Sequence, residues 1–262
     1  MLKIGFIGCG NMGGALALAA AKSGNEIWLA DPSVEKLSAL AGELGAKESD
    51  NNSVAANCDY IFLGVKPQIM PTVLPGLSES LGGRRVVLVS MAAGMEIGKI
   101  RALSGGDYPV IRIMPNTPVA VGSGMILYTC LGTTEKEETE FLSFMSAAGR
   151  IDKIAEPLID AASAVSGCGP AFVCQFIEAL ADGGVNCGLP RDKALMYAAA
   201  MVEGTAKLML ETGRHPAELK DSVCSPGGST IEGVRCLEKG AFRGNVTDAV
   251  LKSYKRTKEL GK

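Results

Sequence analysis

The chain has 262 residues, a formal net charge of −2, a sequence pI of about 5.6 and 47% hydrophobic residues. That length buries a sizeable core and holds one large domain or two small ones, while the near-neutral charge argues against a nucleic-acid-binding surface. No apolar run approaches the roughly 18 residues of a membrane span, and Lys3 leads into a glycine turn instead of a signal-peptide core, so the expectation is a cytoplasmic protein that meets no membrane.

Apolar Ile4, Phe6 and Ile7 read as a short buried strand running into Gly8-x-Gly10-x-x-Gly13, with an Ala-rich helix from Ala15 to Lys22 behind it. In that context glycines let the backbone approach a pyrophosphate, and the helix N-terminus faces its charge. The next apolar run, Glu26 to Ala30, ends at Asp31, near the position where a carboxylate hydrogen-bonds a ribose 2′-hydroxyl and repels a 2′-phosphate. Together these form a dinucleotide fingerprint, although a glycine-rich turn in another α/β protein would share the glycines. Cofactor contacts are expected at Ile7, Gly8, Cys9, Gly10, Asn11 and Met12, and then at Asp31 and Ser33.

Candidate strands follow at Ile27–Ala30, Tyr60–Val65, Val86–Ser90 and Val110–Met114, with helical patterns near 14–23, 34–44, 68–81 and 95–103. This alternation predicts a parallel sheet with helices on both faces and a ligand beyond the carboxyl ends of the strands. The segments there are Gly64-Val65-Lys66-Pro67, Ser90-Met91-Ala92-Ala93-Gly94 and Met114-Pro115-Asn116-Thr117-Pro118. Their small residues and prolines suit a flat cofactor, with contacts expected at Gly64, Val65, Lys66, Pro67, Met91, Ala92, Ala93 and Asn116. Lys66 would neutralise a phosphate or orient the nicotinamide ribose; the alternative is a solvated loop lysine. A strand at Met125–Tyr128, a helix at Glu135–Ala147 and a strand at Arg150–Ile154 complete a first domain, 1–157.

From Leu158 the pattern is helical only, giving a second domain, 158–262. Breaks fall at Ser166–Pro170, Gly188–Pro190, Thr212–Arg214 and Ser225–Gly228. The helices are rich in Ala, Gly and Met, and so apolar a surface is hard to leave in water. A shared helical interface in a homo-oligomer is expected, against the alternative of a monomeric helical cap. Eight cysteines include no CxxC pair, and His215 is the single histidine, so no zinc-type ligand cluster is expected. The bland reading is free thiols in a reducing compartment. Cys9 is the exception by location, and its backbone is expected to matter more than its sulfur. His215 precedes Pro216 and marks a helix start.

Cys224-Ser225-Pro226-Gly227-Gly228-Ser229-Thr230 leads into a helical pattern from Ile231 to Lys239. Free backbone N–H groups and two hydroxyls gathered there suit a carboxylate. An ordinary N-cap at Ser225 or Ser229 fits the spacing equally well.

The stretch Asp221-Ser222-Val223-Cys224-Ser225-Pro226-Gly227-Gly228-Ser229-Thr230-Ile231-Glu232-Gly233 resembles the signature of the pyrroline-5-carboxylate reductases. Val65-Lys66-Pro67, Ala92-Ala93-Gly94, Asn116-Thr117-Pro118, Ser166-Gly167-x-Gly169-Pro170-Ala171, Ala181–Val185, Gly188–Arg191 and His215-Pro216-x-x-Leu219-Lys220-Asp221 match in order. The resemblance implies NAD(P)H-dependent reduction of 1-pyrroline-5-carboxylate to L-proline. It also implies a Rossmann-type doubly wound sheet followed by an all-α domain that dimerises, often assembling further into decamers. Thr230 is then the candidate for contacting the imine nitrogen or a proton-donating water, as positioner or relay. Ser225, Gly227, Gly228 and Ser229 join it around the substrate carboxylate. The resemblance also puts Glu156 near the ring nitrogen, where a carboxylate at a domain junction is as often an ordinary capping or surface group, Asn51 on the adenosine side and Ser222, where relatives often carry asparagine, at a cofactor position. Asn51-Asn52 could equally be a turn. Asp31 favours NADH, while the family commonly uses NADPH and Ser33 or Lys36 could reach a phosphate, so both cofactors are expected to work.

Three rival readings remain. A β-hydroxyacid dehydrogenase has a similar turn but needs a catalytic lysine on the first long helix, where Ala171–Glu178 has none. A reductase of another cyclic imine needs only a different carboxylate pocket. A non-catalytic nicotinamide sensor would have no use for the second anion site.

Overall fold

The computed structural model describes residues 1–260. Eight strands, β1 (Lys3–Ile7), β2 (Glu26–Ala30), β3 (Lys47–Glu48), β4 (Tyr60–Leu63), β5 (Val87–Ser90), β6 (Val110–Met114), β7 (Gly124–Leu131) and β8 (Gly149–Lys153), form one sheet in the order β3-β2-β1-β4-β5-β6-β7-β8. The central strands are buried on both faces, as uninterrupted apolar runs such as Tyr60-Ile61-Phe62-Leu63 require. On one face α1 (Asn11–Ala21) and α6 (Glu135–Met145), the latter through Phe141 and Phe144, cover Phe6 and Phe62 of the sheet, whose rings stack at 4.4 Å. On the other, α3 (Asn51–Asn57), α4 (Met70–Leu81) and α5 (Ile97–Ser104) cover Ile61, Leu63, Leu88 and Val110. The α2 helix (Val34–Leu44) runs between β2 and β3.

The five strands read from the alternation, β1, β2, β4, β5 and β6, are parallel as expected, and the sheet as a whole becomes mixed only at β7. The strands from β3 to β6 are parallel, β7 pairs antiparallel with β6, and β8 runs parallel to β7. The link 115–123 between β6 and β7 holds only a 3₁₀ turn, Thr117–Val121, and is shorter than the dozen or so residues of a parallel crossover. The link between β7 and β8 carries α6 and keeps those two parallel. Two short elements lie outside the expected set: β3, and α3, whose first turn is Asn51-Asn52.

By compactness the chain divides into Met1–Cys168 with the end from Ser253, and Gly169–Lys252. The first unit includes α7 (Glu156–Ser166). The second holds α8 (Gly169–Asn186), α9 (Arg191–Thr212), α10 (Pro216–Val223), α11 (Ser229–Lys239) and the start of α12 (Phe242–Leu260). It is helical throughout and buries little: Ala181, Ala194, Ala198 and Leu219 are its buried apolar residues, whereas Val173, Leu180, Met196, Tyr197, Leu210 and Leu251 are exposed. The α8 and α9 helices approach closely through small residues, and a methyl at Gly184 would lie 3.3 Å from the Ala194 side chain.

The stretch Glu156–Asn186 holds an 18-residue window of mean hydropathy 1.4, enough by length and composition alone to cross a membrane. Ser, Gly and single charges interrupt it, so it contains no uninterrupted apolar run of span length. The helix changes at Gly167-Cys168, between α7 and α8.

Candidate active site

The turn after β1 leaves no room for a side chain at Gly8 or Gly13, nor at Gly64 beside it. Gly8 has φ +96° and a Cβ there would meet the Gly64 backbone at 2.8 Å; a Cβ on Gly13 or Gly64 would strike the Gly8 carbonyl oxygen. Gly10 differs, since a side chain there would meet nothing within 4 Å. Its extended backbone caps α1 with no side-chain hydrogen bond, so the first-turn N–H groups are offered to an anion beside open space. This is the arrangement a dinucleotide pyrophosphate needs. Asn11 is exposed, Met12 packs partly against the core, and Ile7 is buried.

Cys9 donates its backbone N–H to Asp31 Oδ2 at 2.7 Å. Its buried thiol lies 3.7 Å from the Ala30 carbonyl oxygen, and burial, with the Asp31 charge, pushes it up to about 11. Asp31 Oδ1 accepts the Ser33 N–H at 2.9 Å, while Ser33 begins α2 without a side-chain cap bond. Beyond these residues opens a cavity of about 480 Å³ lined by Ile7, Gly8, Asp31, Asp50, Asn51 and Val65, among others, with no lysine or arginine in its described lining. Sequence reasoning missed Asp50 here. Its signal was present, because Asp50-x-x-Ser53 is a helix-start pattern, and the Asp50 side chain accepts the Ser53 N–H at 2.9 Å.

At the carboxyl end of β4, Gly64 N–H bonds the Ile7 carbonyl at 2.8 Å. Lys66 is exposed, and Pro67 lies beside a smaller cleft with Ala93. After β5, Met91 packs partly against the core and Ala92 is buried, its N–H on Ser90 Oγ at 3.3 Å. Asn116 uses its side chain inside the protein. Nδ2 donates to the Ser166 carbonyl at 2.9 Å and Oδ1 accepts from Met125 N at 2.8 Å. It thereby ties the β6 loop to the end of α7, leaving its backbone as the more available group.

Glu156 opens α7, and its Oε1 accepts the Ile97 N–H at 2.7 Å, holding the start of α5. The same oxygen lies 3.4 Å from Arg112 Nη1. Arg112, 1% exposed in the middle of β6, pairs with Asp160 at 2.7 Å, and Lys258 stands 3.7 Å from the other Asp160 oxygen. Arg112 Nε is buried without a partner. The two carboxylates pair two of the three nitrogens of this buried guanidinium and offset its charge. No sequence argument had singled out Arg112 or Asp160.

In the helical unit, α10 ends at Val223 and a turn returns through Gly227, φ +69°, with Gly228 N–H on the Ser225 carbonyl at 3.0 Å. Gly228 caps α11 and no side chain bonds its first turn. The alternative of an ordinary Ser225 or Ser229 cap is therefore not what forms. Ser229 and Thr230 are the first two residues of α11, both exposed, so N–H groups and hydroxyls stand free together for a small anion. Ser222 Oγ donates to the Leu219 carbonyl at 2.7 Å. His215 caps α10, its Nδ1 accepting the Ala217 N–H at 3.2 Å with Pro216 next. Among the described residues no group of three or more His, Cys, Asp or Glu could hold a metal ion.

Residues 156–260 match the family model for pyrroline-5-carboxylate reductase dimerisation, and residues 3–94 match the model for coenzyme F420-dependent NADP oxidoreductases. Pyrroline-5-carboxylate reductase of Escherichia coli is 44% identical over 99% of this chain and 98% of its own. The chain belongs to the pyrroline-5-carboxylate reductase family. The Synechocystis member is 40% identical over 100% of this chain and 99% of its own. The pyrroline carboxylate reductase structure from Plasmodium falciparum, which has NADP bound, superposes with a TM-score of 0.90 at 32% identity, covering 100% of this chain and 98% of that one. Its Coxiella burnetii counterpart gives 0.90 at 30%, over 100% and 99%. The α/β fold with a helical C-terminal part is that of the pyrroline-5-carboxylate reductases.

Proposed function

We propose that this chain reduces 1-pyrroline-5-carboxylate to L-proline with NAD(P)H, the last step of proline biosynthesis. The observation that carries this is the 44% identity to the Escherichia coli reductase over nearly the whole of both chains. The two uncapped helix N-termini, at Gly10 and at Gly228, supply the two anion sites such a reaction needs. When bound, the nicotinamide supplies a hydride, and a cyclic imine is electrophilic enough that geometry and charge placement matter more than a strong acid.

The roles follow from the residues. The α1 N-terminus holds the pyrophosphate, with Lys66 adding positive charge. Backbone N–H groups from Gly228 to Thr230 hold the substrate carboxylate, with Ser225, Gly227 and Ser229 shaping the turn. The Thr230 hydroxyl orients the imine nitrogen or relays a proton through water. Glu156 is proposed near the ring nitrogen, and Ser222 and Asn116 beside the cofactor, on family resemblance.

Both cofactors are proposed to work, with NADH competing well because Asp31 offers acceptors to a ribose hydroxyl and charge against a 2′-phosphate. Self-association is proposed through the helical unit, whose exposed apolar residues fall within the dimerisation match; dimers, assembling further into decamers, would cover them. A cytoplasmic location is proposed by analogy with biosynthetic relatives. Incubation with pyrroline-5-carboxylate and either cofactor tests the function: one L-proline should form per nicotinamide oxidised. Cofactor binding without proline formation would point to another cyclic imine or to a sensor.

A further inference from the structure

We propose that Asp50 is a second determinant of cofactor specificity, which with Asp31 puts negative charge on the adenosine end of the cavity and turns away a 2′-phosphate. This rests on the reading that the cavity takes the adenosine half of a nicotinamide dinucleotide. Asp31 and Asp50 both line that cavity. They arrive from different elements, one at the end of β2 and the other at the start of α3.

Both carboxylates are held in place. Asp31 accepts the Cys9 and Ser33 N–H groups at 2.7 and 2.9 Å. Asp50 accepts the Ser53 N–H at 2.9 Å and the Ser53 hydroxyl at 2.8 Å, one on each oxygen. These bonds, together with the positive end of α3, favour the charged form, and the Asp50 carboxyl sits below its usual range. A carboxylate has about four acceptor positions, so each residue keeps capacity for a ribose hydroxyl. The rest of the lining is apolar or neutral, including Pro32, Asn52 and Ile69, so no cation offsets the two charges. A neutral ribose carries no charge to be repelled, whereas a dianionic phosphate meets two like charges with no lysine or arginine in the lining to offset them. Because Asp50 is exposed, its contribution must weaken as salt rises.

Calorimetry of the full chain with adenosine 2′,5′-bisphosphate and with adenosine 5′-monophosphate tests this. Asp50→Asn and Asp50→Ser both keep a helix-capping side chain, and thermal melting checks that each variant is folded. The expected result is a ratio of affinities that moves toward the bisphosphate by about three- to tenfold at low salt, and by less at high salt. A ratio that does not move, or equal weakening of both ligands, overturns the proposal and leaves Asp50 as a helix cap. The broader reading is tested separately by the unmodified chain's own preference between NADH and NADPH. That preference can fail while the Asp50 ratio still shifts, and the converse also holds.

Discussion

The Asp31 carboxylate accepts the Cys9 backbone N–H at 2.7 Å, so the residue that ends β2 also pins the glycine turn that follows β1. A single side chain thus serves both turn geometry and the cofactor's ribose. Asp31→Ala should therefore do two things. It should destabilise the protein by about 2 kcal/mol, because two N–H groups lose a charged acceptor, and it should raise kcat/KM for NADPH relative to NADH. Urea unfolding and steady-state kinetics read these apart. An altered cofactor ratio without loss of stability would mean that the turn does not depend on Asp31.

Arg112 and its carboxylates should behave as one unit. Removing either partner of the buried Arg112–Asp160 pair strands the other, at a cost of roughly 3–5 kcal/mol. Arg112→Met and Asp160→Asn are each expected to lower the urea midpoint strongly, and the double variant to lose much less than the sum. Additive losses in that cycle would show that the pair is not coupled.

The buried thiols should be inert. Cys9 is pushed up to about 11, and burial pushes Cys58 up to about 12. With iodoacetamide at about pH 8, where only a thiolate reacts, peptide mass spectrometry should find both unmodified in the native protein and alkylated once it is unfolded. Native-state labelling of Cys9 would contradict the tight turn described above.

Acid stability should depend on Glu138. Hydrogen bonds from the Lys153 ammonium, 2.7 and 2.8 Å away, and then from the Tyr128 hydroxyl hold its carboxyl below the usual 4.5. A carboxyl lowered on folding stabilises fully above its unfolded value, and that stability is lost as pH falls through the folded one. Thermal melts from neutral pH downward should thus fall below pH 4.5 in the unmodified chain, and Glu138→Gln should flatten part of that fall. A parallel pH profile for the variant would remove Glu138 as a contributor.

The strand–turn–helix start and the Asp31 position were legible because they are local: apolar spacing and glycine placement fall within a dozen residues. The reversal of β7 was not, since alternation carries no direction and only the short link 115–123 betrays it. The α3 helix, with its seven residues, is too brief to display a helical period, so Asn51-Asn52 read as a turn or a contact and Asp50 went unremarked. Arg112 lies in an apolar strand, and its partner Asp160 comes 48 positions later; no pattern in the sequence joins them. The second anion site was half legible. Ser229 and Thr230 were visible, but whether a serine caps α11 depends on how its side chain turns, and the cap proves to be Gly228.

Thr230 carries the chemical part of the account. Thr230→Ala should bind cofactor as before and lose about a hundredfold in kcat, within the range for a lost proton-handling group, while Thr230→Ser should recover much of it. Unchanged turnover in Thr230→Ala would remove this residue from the mechanism.

The most direct measurement is steady-state oxidation of NADH and NADPH, separately, by the unmodified chain with pyrroline-5-carboxylate as substrate. Turnover with both, and a kcat/KM for NADH that rivals or exceeds that for NADPH, is the predicted result. No turnover with either, in a protein that still binds them, would contradict the proposed reaction.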